Sequence, residues 1–437
     1  MTNGRRKDYR WIEIIKDILI VLLTVSALWL LLRSGLTNYL IRQEDSVIST
    51  QQTQSVGWAY TVRPLRMVAT IEDGEHMLRY GVQHDQEAVD ELFQQTASLL
   101  VEALANAGEP EIVMRSQWNR ALQRAPGWSF DFQGEMPLPV LLGWLSGEPG
   151  RLDAVVRRMV LTVEREQVVL YYCDTTTGDY YRCRCDVITP DQLKSSVEGL
   201  SDNGVFYAFE NKSYSDLDMD TLLTEDGYVR PVYLGANPVS NGRSNLEVLM
   251  EDLGFSLAGC SFYSAEEEVA RSGSETVRLD RTGIVEYKAG TDTGRFQVSG
   301  MDDPERECFL VVESCWRLAA QIMRNRCGQA QLYLNHVEKT PNGWEVIFDY
   351  CLDGSVVWLE SGHAAHFIVE EGKVSSFTMR VRNYQRSDQT QIVMPALQAA
   401  AAVSALGLDG QELALVYRDA GTEQVPIQWA AVRTNEE

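Results

Sequence analysis

Hydrophobic residues are concentrated in one long stretch near the amino terminus, and elsewhere they follow short periodic patterns. Residues 18–32 carry no charge and are almost entirely apolar. A helix needs about 20 such residues to span a bilayer, and basic side chains at its ends can extend toward the head groups. The pattern predicts one transmembrane helix over residues 18–36, a short tip before it (1–17) and a polar juxtamembrane connector after it (37–57).

The charges beside this stretch predict its orientation. Five basic residues precede it, whereas Arg33 and Arg42 follow it closely. Because basic residues favour the cytoplasmic side of a span, the tip is expected in the cytoplasm and the bulk of the chain outside the membrane. A cleaved signal peptide is the alternative interpretation, since it too has a basic tip and an apolar core. No small-x-small cleavage site follows the core, which favours a retained anchor and a single-pass protein of the cell membrane.

The rest of the chain alternates between two periodicities. Apolar residues recur every three or four positions in some segments and every two in others, which is typical of packed helices and half-buried strands. Helix-like segments followed by strand-like runs predict an α+β fold with antiparallel sheets. Turn-rich passages divide the outer portion into two or three extracytoplasmic domains, with predicted bounds of 58–242, 243–303 and 304–437.

Several elements of the first outer domain have start and stop signals. Asp85 can cap a helix over residues 86–107, whose apolar positions fall on one face. Two strands are predicted at residues 161–172 and 180–188. The Thr-Thr-Gly-Asp sequence of residues 176–179 is typical of a turn, so these strands are expected to form a hairpin.

Capping and turn signals also place elements in the other two domains. Residues 244–247 (Ser-Asn-Leu-Glu) form a capping-box sequence at the start of a helix, and residues 280–283 form the turn of a hairpin. A long helix is expected to begin at Pro304, because proline suits the first helical turn. An antiparallel meander follows it, and a late helix over residues 395–406 is closed by Gly407.

The charge of the chain restricts its partners. The formal net charge is -23, and six basic and three acidic residues lie before position 34, so the rest of the chain carries -26. A surface of this sign repels nucleic acid and anionic lipid. We therefore expect no nucleic-acid partner.

Eight cysteines lie in the portion predicted to be outside the membrane, where disulfides can form. They are sparse and mostly embedded in apolar segments, unlike the cysteines of a disulfide scaffold. Cys183 and Cys185 share a face of a predicted strand, and Cys308 and Cys315 share a face of a predicted helix. Buried free thiols are the expected state, and disulfide pairing is left open.

Common motifs of catalysis and metal binding are missing from the sequence. It contains no phosphate-binding G-x-x-x-x-G-K-[ST], no G-x-G-x-x-G between a strand and a helix, and no G-x-S-x-G. His363 and His366 are three apart beside a predicted strand, where such residues point to opposite faces, so zinc is not expected. Asp216, Asp218 and Asp220 lack the glycine and the terminal glutamate of a calcium loop and are interpreted as a solvated acidic run.

A binding or regulatory role is therefore predicted, with no catalytic residue, cofactor or metal. The alternative is a membrane-anchored cell-surface enzyme or a cell-wall carbohydrate-binding module, because tryptophan and tyrosine can stack on sugars. Most aromatic residues, however, fall at alternating strand positions, which core packing explains.

Four segments resemble the YycH family in their order and spacing. Residues 127–139 (GWSFDFQGEMPLP) are similar to an apolar strand that ends in proline in the family's first outer domain, and residues 155–172 to the strand region after it. Residues 245–287 resemble the family's middle region. Residues 348–357, with Phe-Asp-Tyr and then Gly-Ser-Val-Val, resemble a hairpin that YycH and its relative YycI share.

This resemblance implies a specific role. YycH-type proteins are membrane-anchored, non-catalytic accessory regulators of WalK, the sensor kinase of the WalK/WalR two-component system, which governs cell-wall metabolism in low-GC Gram-positive bacteria. They act with YycI through transmembrane and extracytoplasmic contacts. The resemblance thus implies a WalK-like kinase and a YycI-like protein as partners of this chain, which departs from the family in being richer in cysteine.

The predicted span offers a surface for such contacts. Leu22, Ser26, Trp29 and Arg33 follow one another at helical spacing and lie on one face of the helix. We expect this stripe to pack against a transmembrane helix of the kinase and to bias its signalling equilibrium. The alternative is that the helix is an anchor alone.

Overall fold

The computed structural model describes residues 63–433, apart from 75, 225–226, 240–241, 265, 291–293 and 324. The predicted tip, transmembrane helix and connector lie outside the described residues, and so does the stripe on that helix. Within the described ranges, no helix is both long enough and apolar enough to cross a membrane. The α+β class is confirmed, because antiparallel sheets and packed helices make up the described chain.

The first part of the chain forms a seven-stranded antiparallel sheet, here called the N-terminal sheet. Its strands are β1 Arg66–Asp73, β2 His76–Gln83, β3 Glu111–Val113, β4 Gly127–Pro137, β5 Val155–Glu164, β6 Gln167–Asp174 and β7 Tyr180–Arg184. Their order across the sheet is β2-β1-β4-β5-β6-β7-β3. The helices that accompany it are α1 Gln86–Ala105, α2 Arg115–Ala121, α3 Leu138–Ser146 and α4 Pro190–Ser196.

Strand alternation explains why this sheet is covered on both faces. On β1, Met67 and Ala69 belong to the main core beneath α1, whereas Val68 belongs to a second core with Trp118 of α2. Successive strand residues point to opposite faces, so a continuous apolar run supplies two cores at once. Helix α1 begins as the sequence predicts, because the Asp85 side chain accepts the N–H of Ala88 at 3.1 Å.

One predicted strand is wrong. Residues 161–172 are not a single strand, because β5 and β6 meet at a two-residue turn within them. The turn residues Arg165 and Glu166 have φ values of 50° and 65°. This left-handed geometry suits a tight hairpin, but such turns usually contain Asn or Gly, so Arg165 and Glu166 do not predict one.

Two short strands, β8 Val205–Tyr207 and β9 Leu222–Thr224, form a small ladder. The remaining strands are β10 Val229–Ala236, β11 Cys260–Ser264, β12 Glu268–Ser272, β13 Glu275–Leu279, β14 Ile284–Lys288, β15 Gln331–Thr340, β16 Gly343–Leu352, β17 Ser355–Leu359, β18 Ala365–Glu370, β19 Lys373–Arg380, β20 Asn383–Ile392, β21 Glu412–Asp419, β22 Gln424–Val425 and β23 Ile427–Val432. The later helices are α5 Arg243–Asp252, α6 Pro304–Met323 and α7 Ala396–Ala405.

Most of these strands join a second large sheet, the C-terminal sheet. Ten follow the order β11-β12-β13-β14-β19-β18-β16-β17-β21-β23, and β15 pairs with β16. The β17–β21 pair is parallel, while the other named pairs are antiparallel. Strand β10 pairs with β20 and β22, so a strand before residue 242 is bonded to two strands after residue 304. The predicted domain boundaries stay predictions.

Helix α6 confirms the helical pattern of the last domain. It begins at Pro304 as predicted, and Val312, Cys315, Ala319 and Ile322 of its apolar stripe are buried. The stripe covers the C-terminal sheet because residues three and four apart share a helix face.

The predicted capping box at the start of α5 is wrong. The helix begins at Arg243, two residues earlier than the box requires, and Gly242 is its N-cap. Glu247 is bound instead by Arg243, whose Nε lies 2.7 Å from its carboxylate. The glutamate therefore stabilises the helix through a side-chain pair four residues apart.

Candidate functional site

A cluster of largely buried charges lies where the two large sheets meet. Arg66 of β1 and Arg157 and Arg158 of β5, here called the arginine triad, surround Glu412 at the start of β21. The Glu412 side chain has no exposed surface. Its oxygens lie 2.6 Å from a terminal nitrogen of Arg66 and 2.7 Å from one of Arg157, and Arg158 also pairs with it.

An irregularity of β5 brings two adjacent arginines to one carboxylate. Neighbouring residues of a regular strand point to opposite faces, so Arg157 and Arg158 would ordinarily separate. The register of β5 against β6 shifts between Val156 and Met159, which brackets the two arginines. Such a bulge re-aims side chains, and here both guanidinium groups reach Glu412.

Asp131 of β4 supplies a second carboxylate to the arginine triad. Its Oδ2 accepts a hydrogen bond from Nε of Arg158 at 3.0 Å, and its Oδ1 accepts the backbone N–H of Gln133 at 2.9 Å. Burial would raise the pKa of Asp131, but the charge of Arg158 and then those of the other two arginines hold that pKa well below its usual range. The same balance lowers the pKa of Glu412. Both carboxylates are therefore ionised at neutral pH.

A second acidic group approaches Arg158 from the loop before β9. Asp218 and Asp220 are each 3.8 Å from Arg158, and Arg115 of α2 lies 3.7 Å from Asp218. The indole N–H of Trp118 donates to Oδ2 of Asp220 at 2.9 Å. The interpretation of this acidic run as solvated is wrong for these two aspartates, which are 5% and 7% exposed.

Asp220 differs electrostatically from the other buried carboxylates. Burial raises its pKa to about 6, against the opposing effect of Arg158. Its Oδ1 is buried and has no hydrogen-bond partner among the described residues. A carboxylate with an unused acceptor atom and a pKa near neutrality is suited to receive a proton or a hydrogen-bond donor.

A polar cavity of about 290 Å³ opens beside these groups. The N-terminal sheet contributes Arg157 and Arg158 to its wall, and the C-terminal sheet contributes Asn335 and His336 of β15. The wall further includes Trp118, Gln133, Gly134, Glu135, Cys173, Thr175, Tyr180, Asp218, Asp220, Val432 and Arg433. Residues from both sheets thus enclose one space.

His336 carries a positive charge over a wider pH range than an ordinary histidine. Its Nδ1 is hydrogen-bonded to Glu135, and this bond raises the pKa of His336. Glu135 also belongs to the cavity wall, so the rim presents an ion pair rather than a free imidazole.

A second recess is larger but has fewer charged residues in its wall. It has a volume of about 410 Å³ beside Met77 and Phe206. Of its two charged wall residues, Arg79 pairs with Glu210, although its Nε has no hydrogen-bond partner among the described residues, and Asp202 is exposed. The cavity beside the arginine triad is therefore the better candidate site.

The described residues do not assemble a metal site. Within them, no group of three or more His, Cys, Asp and Glu side chains could hold an ion. His363 is hydrogen-bonded to Asp349 at 3.0 Å, and His366 lies 2.7 Å from Glu345. Each imidazole thus lies beside a carboxylate of its own.

The cysteines are packed as thiols. No disulfide joins any of the eight cysteines, all of which lie among the described residues, and Cys183 and Cys185 lie in the main core as predicted. Burial raises the pKa of Cys183 to about 11 and that of Cys185 to about 12. Their thiolate forms are scarce at neutral pH, so they are poor nucleophiles.

The arrangement of strands and helices matches a solved structure. The crystal structure of YycH from Bacillus subtilis aligns with a TM-score of 0.53 at 10% sequence identity, over 89% of this chain and 98% of that one. This chain has a YycH-type fold. No protein-family model matches the sequence, and no curated protein sequence does either.

The sequence patterns did not predict the charge cluster and the cavity beside it. The predicted site residues Leu22, Ser26, Trp29 and Arg33 lie outside the described part of the chain and remain a hypothesis. The cluster joins residues 66 and 412, which are 346 positions apart. One local signal was present: two consecutive arginines interrupt the apolar alternation of β5.

Proposed function

We propose that this chain is a membrane-anchored, non-catalytic accessory regulator of a WalK-like sensor histidine kinase that controls cell-wall metabolism. The observation that carries the proposal is the YycH-type fold, which extends over nearly the whole length of the Bacillus subtilis YycH structure. The sequence resemblance supports it independently, since two of the segments concerned supply β4 and the β16–β17 hairpin of this fold.

In this proposal, the amino-terminal helix and the outer domains have separate tasks. The helix over residues 18–36 holds the protein in the cell membrane with its tip in the cytoplasm. The outer domains contact a YycI-like protein and the kinase. The stripe of Leu22, Ser26, Trp29 and Arg33 packs on a kinase helix. It biases signalling only if its contact energy differs between the two kinase states.

Crosslinking in membranes tests the partners. The full chain carrying an affinity tag is crosslinked in its native host, purified from detergent-solubilised membranes and analysed by mass spectrometry. We expect a sensor kinase and a YycI-like protein among the captured proteins. Capture of peptidoglycan fragments with neither protein would contradict the proposal and favour the cell-surface enzyme or carbohydrate-binding alternative.

A pair of matched substitutions tests the stripe. Ser26→Leu adds bulk on the stripe, while Thr24→Leu makes a similar change about 200° around the helix. We expect Ser26→Leu to alter kinase output, measured as transcription from a promoter under the kinase's control, and Thr24→Leu to leave it at the wild-type level. Unchanged output in both variants, and also after replacement of residues 18–32 by an unrelated apolar helix, would show that the span is an anchor alone.

A further inference from the structure

Two buried groups of opposite polarity lack hydrogen-bond partners beside the polar cavity. One is Oδ1 of Asp220, and the other is Nε of Arg157; neither atom has a partner among the described residues. The nearest carboxylate oxygen to that nitrogen, on Asp131, is 3.5 Å away. Buried polar atoms in native proteins almost always have a partner, which can be water or a ligand. Both residues line the same cavity.

The charge around the cavity is mixed rather than of one sign. The wall contains Arg157, Arg158 and Arg433, two aspartates (Asp218 and Asp220) and the ion pair of His336 with Glu135. A simple anion would leave the oxygen of Asp220 unsatisfied, and a simple cation would leave the nitrogen of Arg157 unsatisfied. A ligand with both a donor group and an anionic group satisfies both.

The size of the cavity limits the ligand further. Liquid water occupies about 30 Å³ per molecule, so a volume of about 290 Å³ corresponds to roughly ten waters. This is at the small end of ligand sites. A molecule the size of an amino acid or a dipeptide fits such a space.

We propose that this cavity binds a small zwitterion of amino-acid or dipeptide size, with its ammonium group on Asp220 and its carboxylate on Arg157. Trp118 fixes the aspartate through its indole N–H, and Glu412 fixes the arginine through the ion pair at its terminal nitrogen.

The cavity has walls from both sheets. Arg157 belongs to the N-terminal sheet, while Asn335 and His336 belong to the C-terminal sheet. The two proposed ligand contacts connect β5, through Arg157, with the loop before β9, through Asp220. A bound zwitterion therefore favours the arrangement in which this loop lies against β5. A signalling consequence of this contact rests on the proposed regulatory function, whereas binding itself does not.

Protons should compete with the ligand. The groups facing Asp220 are Asp218 from its own loop, Arg158 from β5, and Arg115 and Trp118 from α2. Because the pKa of Asp220 is about 6, the carboxylate that receives the ammonium group is lost in mild acid. Affinity is thus expected to fall as the pH drops below that value.

Calorimetry with the full chain in a mild detergent tests the proposal. The probes are alanylalanine, its N-acetyl form and its C-terminal amide. We expect alanylalanine to bind, and each blocked form to bind at least about tenfold more weakly, which corresponds to loss of one charged contact. No binding of alanylalanine and of free alanine, or equal binding of either blocked form, would overturn the proposal.

Matched variants locate the site. Asp220→Asn should weaken alanylalanine binding at least about tenfold, whereas Asp216→Asn, on the exposed part of the same loop, should leave it unchanged. Arg157→Gln is paired in the same way with Arg165→Gln at the exposed β5–β6 turn. If the buried variants do not fold, the pH dependence of wild-type binding decides, and affinity that is constant from neutral pH through mild acid would count against the assignment.

The two proposals fail separately. Absence of a kinase after crosslinking would remove the regulatory function and leave the calorimetric result intact. Absence of calorimetric binding would remove the zwitterion site and leave kinase capture intact.

Discussion

Glu412 is the residue on which the buried charges converge. Its carboxylate neutralises part of a triad of largely buried arginines, and no other residue of β21 reaches all three. A buried ion pair adds little stability by itself, because desolvation offsets the attraction. Removing one partner is different, since the remaining charges then stay buried without compensation.

Glu412→Gln should therefore be strongly destabilising. We expect a loss of about 3–5 kcal/mol in the free energy of unfolding, measured by guanidinium titration followed by circular dichroism. Glu423→Gln is the control, because Glu423 is exposed and its substitution should change stability by no more than about 0.5 kcal/mol. Equal unfolding midpoints for the two variants would contradict the role given to Glu412.

Acid should lower the stability of the folded protein by protonating the carboxylates of the same cluster. The pKa values of Asp131 and Glu412 are lowered in the folded state, so their contribution is present above the unfolded carboxyl pKa of about 4 and is lost as the pH falls toward the folded values. Asp220 has a raised pKa and acts in the opposite sense between about pH 4 and 6. We expect the unfolding midpoint of the wild type to fall on going from about pH 5 to pH 3, and that of Glu412→Gln to fall less. Parallel pH profiles would exclude the cluster as the cause.

At the scale of elements, the two sheets approach each other through backbone atoms at Gly134. Gly134 in β4 lies against β15, and a Cβ added to it would meet the carbonyl oxygen of Leu334 at 2.1 Å. That distance is well inside van der Waals contact, and the neighbouring atom is backbone that cannot rotate away. The glycine is thus required by the packing of β4 on β15.

Gly134→Ala should separate the strands and cost about 1–3 kcal/mol, as overpacking does elsewhere. Gly227→Ala is the matched control, because a Cβ there would meet nothing within 4 Å. The comparison is made by thermal unfolding, and a lower melting temperature is expected for the first variant alone. Similar melting temperatures would show that β15 can move away from the added methyl group without a loss of stability.

The elements that sequence could predict are those with local signals. Asp85 and Pro304 mark the starts of α1 and α6, and Gly407 with φ of 69° follows the end of α7. Strand β20 carries no such signal, because it is polar and largely exposed along its length and shows no apolar alternation. The buried cluster was missed for a different reason, since a charged residue in sequence looks the same whether it faces water or another charge.

At the scale of the molecule, distant parts of the chain are joined in more than one way. The arginine triad of the N-terminal sheet reaches β21 of the C-terminal sheet, and Gly134 of β4 packs on β15. Strand β10 forms a separate three-stranded sheet with β20 and β22. Elements from distant parts of the chain therefore depend on one another, although the sequence alone divides them into two or three domains.

This interdependence predicts one unfolding transition for the described part of the chain. Far-ultraviolet circular dichroism and tryptophan fluorescence should give superimposable guanidinium curves, because neither sheet retains its partners when the other unfolds. The control is the Glu412→Gln variant, which weakens a link between the sheets and should broaden or split the transition. Two resolved steps in the wild type would instead support independent domains.

The separation of 346 positions between Arg66 and Glu412 also has a consequence for synthesis. A chain made from its amino terminus completes β1 and β5 long before the glutamate that neutralises their arginines exists. Until then, the triad has Asp131 but not Glu412, so part of its positive charge must stay hydrated and the N-terminal sheet cannot close fully. A polypeptide cut short before residue 412 lacks this carboxylate, so its N-terminal sheet is expected to stay partly open.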